Sequence, residues 1–209
     1  MIKTNNLTFQ YNKNDSVFRF PDIQLSAQEN LLILGKSGVG KTTFLHILAG
    51  LLKPLSGTVT IDNRVINNLN NKQLDAFRGK NIGFVFQKKH AIQSLTVAEN
   101  LKARILFSKK KTSNAVIESF LEQLDLSAYK NKKIHVLSEG QLQRLGIALA
   151  AIHHPKVILA DEPTSSLDDL NCKKVIELLL KQAQQTKAHL IVITHDARVK
   201  SDFQNTISL

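Results

Sequence analysis

Tryptophan is absent from this chain and cysteine occurs once, at Cys172. A single cysteine permits no internal disulfide, in keeping with a reducing cytoplasm. Cys172 follows Asp168-Asp169-Leu170-Asn171 and reads as an ordinary small residue near a helix start. Long hydrophobic runs are missing too. No stretch reaches the ~18 apolar residues that would span a bilayer, and Met1-Ile2-Lys3-Thr4-Asn5 shows no apolar signal region. No internal repeat, low-complexity tract or long linker breaks the chain. Acidic residues are scarce beside basic ones, 17 Asp and Glu against 28 Lys and Arg, for a net charge of +11. The lysines gather at Lys88-Lys89, Lys109-Lys110-Lys111 and Lys130-Asn131-Lys132-Lys133. Such runs suit a solvated face first, an anionic membrane surface second and nucleic acid third. No stacking aromatics are interleaved with them, which argues against single-strand binding. With 209 residues, 43% of them hydrophobic, one domain with a sizeable core is expected.

What the chain does have is Gly35-Lys36-Ser37-Gly38-Val39-Gly40-Lys41-Thr42-Thr43, directly after the apolar run Leu31-Leu32-Ile33-Leu34. The G-x-x-x-x-G-K-T spacing predicts a strand, a glycine-rich loop and a helix over 42–49. Glycines let the backbone wrap close to phosphates, and the following helix turns its positive end to the same place. Lys41 supplies a mobile cation for the β- and γ-phosphates, and Thr42 a hydroxyl for Mg²⁺. The competing reading, a glycine turn before a buried helix, leaves this lysine and hydroxyl unexplained. The pattern points to a bound nucleoside triphosphate.

Further strands are expected at 7–11, 17–20, 58–61, 82–86, 157–160 and 190–193, and helices at 97–106, 114–124, 142–151 and 175–185. Alternation of strand and helix around the loop predicts an α/β fold, a parallel sheet with helices on both faces. The apolar run Val157-Ile158-Leu159-Ala160 ends in Asp161-Glu162, two carboxylates at the sheet edge where such folds bind ligands. Asp161 suits Mg²⁺, and Glu162 suits the activation of a water. Alone the pair is a solvated strand end; 120 residues after the glycine-rich loop it becomes a candidate site. His195 closes a strand and can reach the same edge. Ser138 reads as a helix N-cap, with a second anion site as the sharper alternative.

Taken in order from Tyr11 to His195, these motifs resemble the ATP-binding subunit of an ABC transporter. Tyr11 resembles the aromatic that stacks on adenine, Gly35 to Thr43 the Walker A loop, and Gln87 the glutamine that senses Mg²⁺ and the γ-phosphate. Leu137-Ser138-Glu139-Gly140-Gln141 resembles the signature motif, and 157–162 Walker B with Glu162 as base. Ser166-Leu167-Asp168 is similar to the D-loop and His195 to the switch histidine. The resemblance implies a P-loop NTPase (RecA-like) parallel core, an N-terminal antiparallel β subdomain and an inserted helical subdomain at about 88–136, all in one domain. It implies ATP and Mg²⁺ as cofactors, and catalytic roles for Glu162, His195, Gln87 and Lys41. Metal contacts are implied for Thr42, Gln87 and Asp161. It implies a homodimer in which Ser138, Gly140 and Gln141 of one copy cover the ATP of the other, and it counts Asp168 among the nucleotide-binding residues. A transmembrane permease on the cytoplasmic face of the inner membrane completes the picture, with no nucleic acid.

Gly83-Phe84-Val85-Phe86-Gln87, Thr96-Val97-Ala98-Glu99-Asn100 and Ala160-Asp161-Glu162-Pro163-Thr164 resemble the lipoprotein-export and macrolide-export branch. Three positions depart from the family pattern. Glu139 stands where glycine is usual, which implies weaker ATP-driven closure because it adds negative charge near a phosphate. Leu149 replaces a common arginine, and Ser165 a common glycine before the D-loop. The rival reading, suggested by the basic charge, is a soluble ABC-type ATPase acting on DNA or ribosomes. Neither the long coiled coil nor the second cassette of those proteins is present. A P-loop kinase is disfavoured by the signature, the D-loop and His195.

Overall fold

A computed structural model describes residues 1–87, 90–110, 112–165 and 167–209. Lys88, Lys89 and Lys111 of the lysine runs, and Ser166 of the D-loop stretch, lie outside the described residues. The apolar run before the glycine-rich loop forms β4 (Asn30–Leu34), and the loop feeds α1 (Lys41–Leu48). Beside β4 lie β7 (Ile82–Val85), β8 (Val157–Asp161), β9 (His189–Thr194) and β10 (Asn205–Ser208). They make one parallel sheet in the order β10-β4-β9-β8-β7. The central strands are apolar on both faces because both faces are covered. Leu32, Ile158, Ala160, Leu190 and Val192 point into one core, and Leu31, Ile33, Val157, Leu159, Ile191 and Ile193 into the other.

The second core is closed by an antiparallel sheet of β1 (Ile2–Phe9), β2 (Phe18–Arg19), β3 (Gln24–Leu25), β5 (Ser56–Ile61) and β6 (Arg64–Val65). Helix α1 and α2 (Asn71–Asn81) contribute Phe44, Leu45, Ile47, Leu48 and Phe77 to it. The first core is built under α3 (Val97–Ser108), α4 (Asn114–Gln123), α5 (Glu139–Ala151) and α6 (Asp169–Thr186). Helices α3 and α4 bury Val97, Leu101, Ile105, Ile117, Phe120 and Leu121 there.

Several boundaries differ from the sequence reading. The first strand ends at Phe9, so Tyr11 stands beyond it and is 57% exposed. Helix α6 starts six residues before the expected 175, because Asp168 caps it by accepting from the Asn171 N–H at 2.9 Å. Helix α5 starts at Glu139, where Ser138 and Gln141 form a reciprocal capping box. Cys172 is buried in the first turn of α6.

Candidate functional site

Because every strand of the main sheet runs the same way, all their C-terminal ends meet along one edge. The register sets Leu34 level with Thr194, Asp161 with Ile193, and Val85 with Ala160. The glycine-rich loop, the Asp161-Glu162 pair, His195 and Gln87 therefore emerge side by side. A cleft of about 630 Å³ opens between them, lined by Lys36 to Gly38, Gly40 to Thr43, Tyr11, Phe18, Gln87, Glu162 and His195.

The loop is shaped for an anion. Gly38 and Gly40 have φ of 86° and 100°, a region that side chains rarely adopt. A Cβ on Gly40 would also lie 2.8 Å from the Phe18 ring. Helix α1 follows Gly40 with no side-chain cap and no acidic residue in its first turn, a bare N-terminus that it shares with α4, but the residues that open α1 line the cleft. Its first N–H groups thus face the cleft, with the helix dipole behind them. Lys41 is 6% exposed. Its ammonium donates to the Gly35 and Lys36 carbonyls at 2.8 and 3.0 Å and pairs with Glu162 Oε1 at 3.3 Å. The Tyr11 hydroxyl sits 2.7 Å from Thr43 Oγ1, so the aromatic stands at the mouth of the loop.

The two carboxylates are tuned apart. Asp161 is buried, and burial pushes its carboxyl above the usual range although Thr42 Oγ1 donates to it at 3.2 Å. Glu162 is pushed up by burial as well, but the donors around it more than offset that and hold it below its usual value. Its Oε2 accepts from His195 Nδ1 at 2.9 Å, Thr194 Oγ1 at 2.9 Å and the His195 N–H at 3.3 Å. The Glu162 backbone has φ of 47°, left-handed for a residue that carries a side chain. Its N–H still donates to Ile193 O at 2.9 Å, and Ser165 closes the turn through N–H and Oγ contacts to Glu162 O at 3.2 and 3.0 Å. Strain of this kind is held by the surrounding bonds and aims the carboxylate into the cleft. Among the described residues no cluster of three or more His, Cys, Asp or Glu could hold a metal. Thr42 and Asp161 offer the one or two protein oxygens that Mg²⁺ takes when phosphates and water complete its shell.

Ser138, Gly140 and Gln141 are not in this cleft. Ser138 and Gly140 are exposed, and the capping box presents them at the start of α5. Asp168 is likewise outside it, its carboxylate occupied by the N–H and side-chain amide of Asn171 at 2.9 and 2.7 Å. The sequence pattern of the ABC transporter family matches residues 20–165. The chain belongs to that family. Among relatives of this ABC cassette, the lipoprotein-releasing system ATP-binding protein LolD of Leptospira interrogans is 36% identical over 94% of this chain and 83% of its own length. LolD of Bacteroides thetaiotaomicron is 35% identical over all of this chain and 96% of its own. The solved dimeric ATP-binding cassette MJ0796, in a post-hydrolysis state with ADP and Pi, superposes with a TM-score of 0.88 at 33% identity. It is covered to 94% by the whole of this chain. The P-loop α/β fold and ATPase class expected from the motifs are thereby established, with the ATP-binding role that goes with them.

Sequence reasoning did not single out Thr194 or Phe18. Thr194 is fully buried and ends an apolar strand, so in the sequence it reads as one more strand residue. Phe18 is one of three aromatics in a short stretch, and only its approach to Gly40 assigns it to the cleft. A second, larger groove of about 1280 Å³ runs beside the first, lined among others by Phe86, Ile92, Phe107 and Leu149. Gln87 and Glu162 line both.

Proposed function

We propose that this chain is the ATPase subunit of a transporter of the lipoprotein-releasing type, working on the cytoplasmic face of a membrane. One observation carries the reading. Walker A, Glu162 and His195 line one cleft, with Asp161 bonded to Thr42 behind it, while the signature residues Ser138 and Gly140 are exposed outside it at the start of α5, beside Gln141. A complete site then requires a second copy, whose Ser138, Gly140 and Gln141 cover the nucleotide held by the first. Tyr11 stacks on the base, Lys41 and the α1 N–H groups hold the phosphates, and Asp168 lies at the dimer interface. Thr42, Asp161 and Gln87 would hold Mg²⁺, which when bound would supply positive charge against the phosphates. Glu162, kept ionised by its donors, takes the proton of the attacking water, and His195 fixes that carboxylate.

The 1280 Å³ groove takes a cytoplasmic segment of the permease, and Gln87, which lines both clefts, reports nucleotide state to it. Helices α3 and α4, within the expected subdomain at about 88–136, belong to the unit that moves with the permease. Among the described residues no helix is long and apolar enough to cross a membrane. Glu139, in the first turn of α5, suits the helix dipole but sets negative charge beside a phosphate. It weakens closure without abolishing it.

The test is Glu162→Gln. Hydrolysis is expected to slow by about 10²–10⁴-fold, the usual contribution of a general base, while ATP binding survives. Wild-type turnover by the purified variant would overturn the assignment of the base.

A further inference from the structure

Beyond the cleft, one side chain joins two segments that the motifs treat as separate. Arg198 lies after β9, three residues past His195. Its Nε and Nη2 donate to Asp196 Oδ1 and Oδ2 at 2.9 and 2.7 Å, a two-pronged contact. The same guanidinium pairs through Nη1 with Asp169 in the first turn of α6, and through Nη2 with the Leu167 carbonyl at 3.2 Å. It thus grips both ends of the stretch 167–169 that leads into α6.

Asp196 passes this grip inward. It is almost buried, with its carboxylate also accepting from Thr164 Oγ1 at 3.2 Å and the Cys172 thiol at 3.5 Å. The Arg198 hydrogen bond holds this carboxyl well below the usual range, so it remains an acceptor. The Asp196 N–H donates to Thr194 Oγ1 at 3.0 Å, and that hydroxyl donates to Glu162 Oε2 at 2.9 Å. An unbroken line of bonds runs from Leu167 and Asp169 through Arg198, Asp196 and Thr194 to Glu162.

We infer that Arg198 is a positioning residue for hydrolysis, a tie that makes the stretch 167–169 and the turn carrying His195 move as one and so sets the Glu162 carboxylate. The inference rests on Glu162 being the general base. Arg198 touches neither the cleft nor the reacting atoms. Its effect is on the placement of the carboxylate, and a misplacement of about 1 Å caused far from the chemistry can cost about 10²-fold. Lysine cannot reproduce the tie, because one ammonium cannot make the paired contact to Asp196 while also holding Asp169 and Leu167.

The test compares ATPase turnover and nucleotide affinity in wild type, Arg198→Ala, Arg198→Lys, Thr194→Val and the Arg198→Ala/Thr194→Val pair. Arg198→Ala is expected to lower kcat by about 10–100-fold and to leave KM within about twofold, the signature of an interaction felt in the transition state. Arg198→Lys recovers part of the loss. Because both residues act along one line, the double variant is expected to be no slower than the worse single variant. Multiplied effects in the double variant, a raised KM with kcat unchanged, or wild-type kcat in Arg198→Ala would each overturn the tie. Should Arg198→Ala not fold, the same comparison is made with Arg198→Lys in its place. Glu162→Gln in the same assay separates the failures. If it is inactive while Arg198→Ala is normal, only the tie falls; if it turns over like wild type, the general-base reading falls.

Discussion

Glu162 shows how one residue acquires a role from its surroundings. A carboxyl buried this far would ordinarily hold its proton more tightly, yet three donors from Thr194 and His195 reverse that. The sign follows directly. A carboxyl depressed below its unfolded value stabilises the fold above that value, and loses the contribution as pH falls through the folded one. For the proposed catalysis the same shift keeps Glu162 ionised further into acid. His195→Ala removes the Nδ1 donor and leaves the backbone N–H, so the acid limb of the ATPase pH profile is expected to move to higher pH. A limb that stays where it was would show that His195 does not tune the base. Lys41, Asp161, Glu162 and His195 were legible in the sequence because each stands at a strand end or in a spaced motif. Thr194 and Arg198 were not. A buried hydroxyl in an apolar strand carries no pattern, and Arg198 takes its meaning from joining Asp196, two residues before it, to partners 29 and 31 residues away.

At the scale of elements, the strands buried on both faces declared themselves as unbroken apolar runs, and β4, β8 and β9 fell within a residue or two of expectation. The segments that escaped have no such run. In α2 only Phe77 is buried, and apolar periodicity is absent. Its signal is local instead, a capping box in which Asn70 accepts from the Gln73 N–H at 2.9 Å and Gln73 Oε1 accepts from the Asn70 N–H at 3.1 Å. The last strand, Asn205-Thr206-Ile207-Ser208, has one apolar residue and exists because β4 offers it an edge. Asn70→Ala should cost about 1 kcal/mol of stability, the usual size of a lost N-cap, read as a lower unfolding midpoint in denaturant. No shift would mean that tertiary packing alone sets the start of α2. Ser165 shows a departure from family pattern that the structure puts to use, its hydroxyl bracing the strained turn at Glu162.

For the whole molecule, the parallel sheet divides two cores and delivers every catalytic candidate to one edge, while the Ser138 capping box stays outside. That partition was only half legible. Strand ends placed the candidates Asp161, Glu162 and His195 at one edge, and the resemblance assigned Ser138, Gly140 and Gln141 to another copy, but the contacts among the cleft residues depend on the register of strands far apart in sequence. On the proposed reading the partition makes a single copy incomplete, with ATP as the joining element of two. Sedimentation of Glu162→Gln with and without Mg²⁺ and ATP tests this most directly. The account predicts a doubling of mass that requires ATP and is lost in Glu162→Gln/Ser138→Arg, with nucleotide binding to the single copy retained. A mass that stays that of one chain at saturating ATP, or a dimer indifferent to both ATP and Ser138, would contradict it.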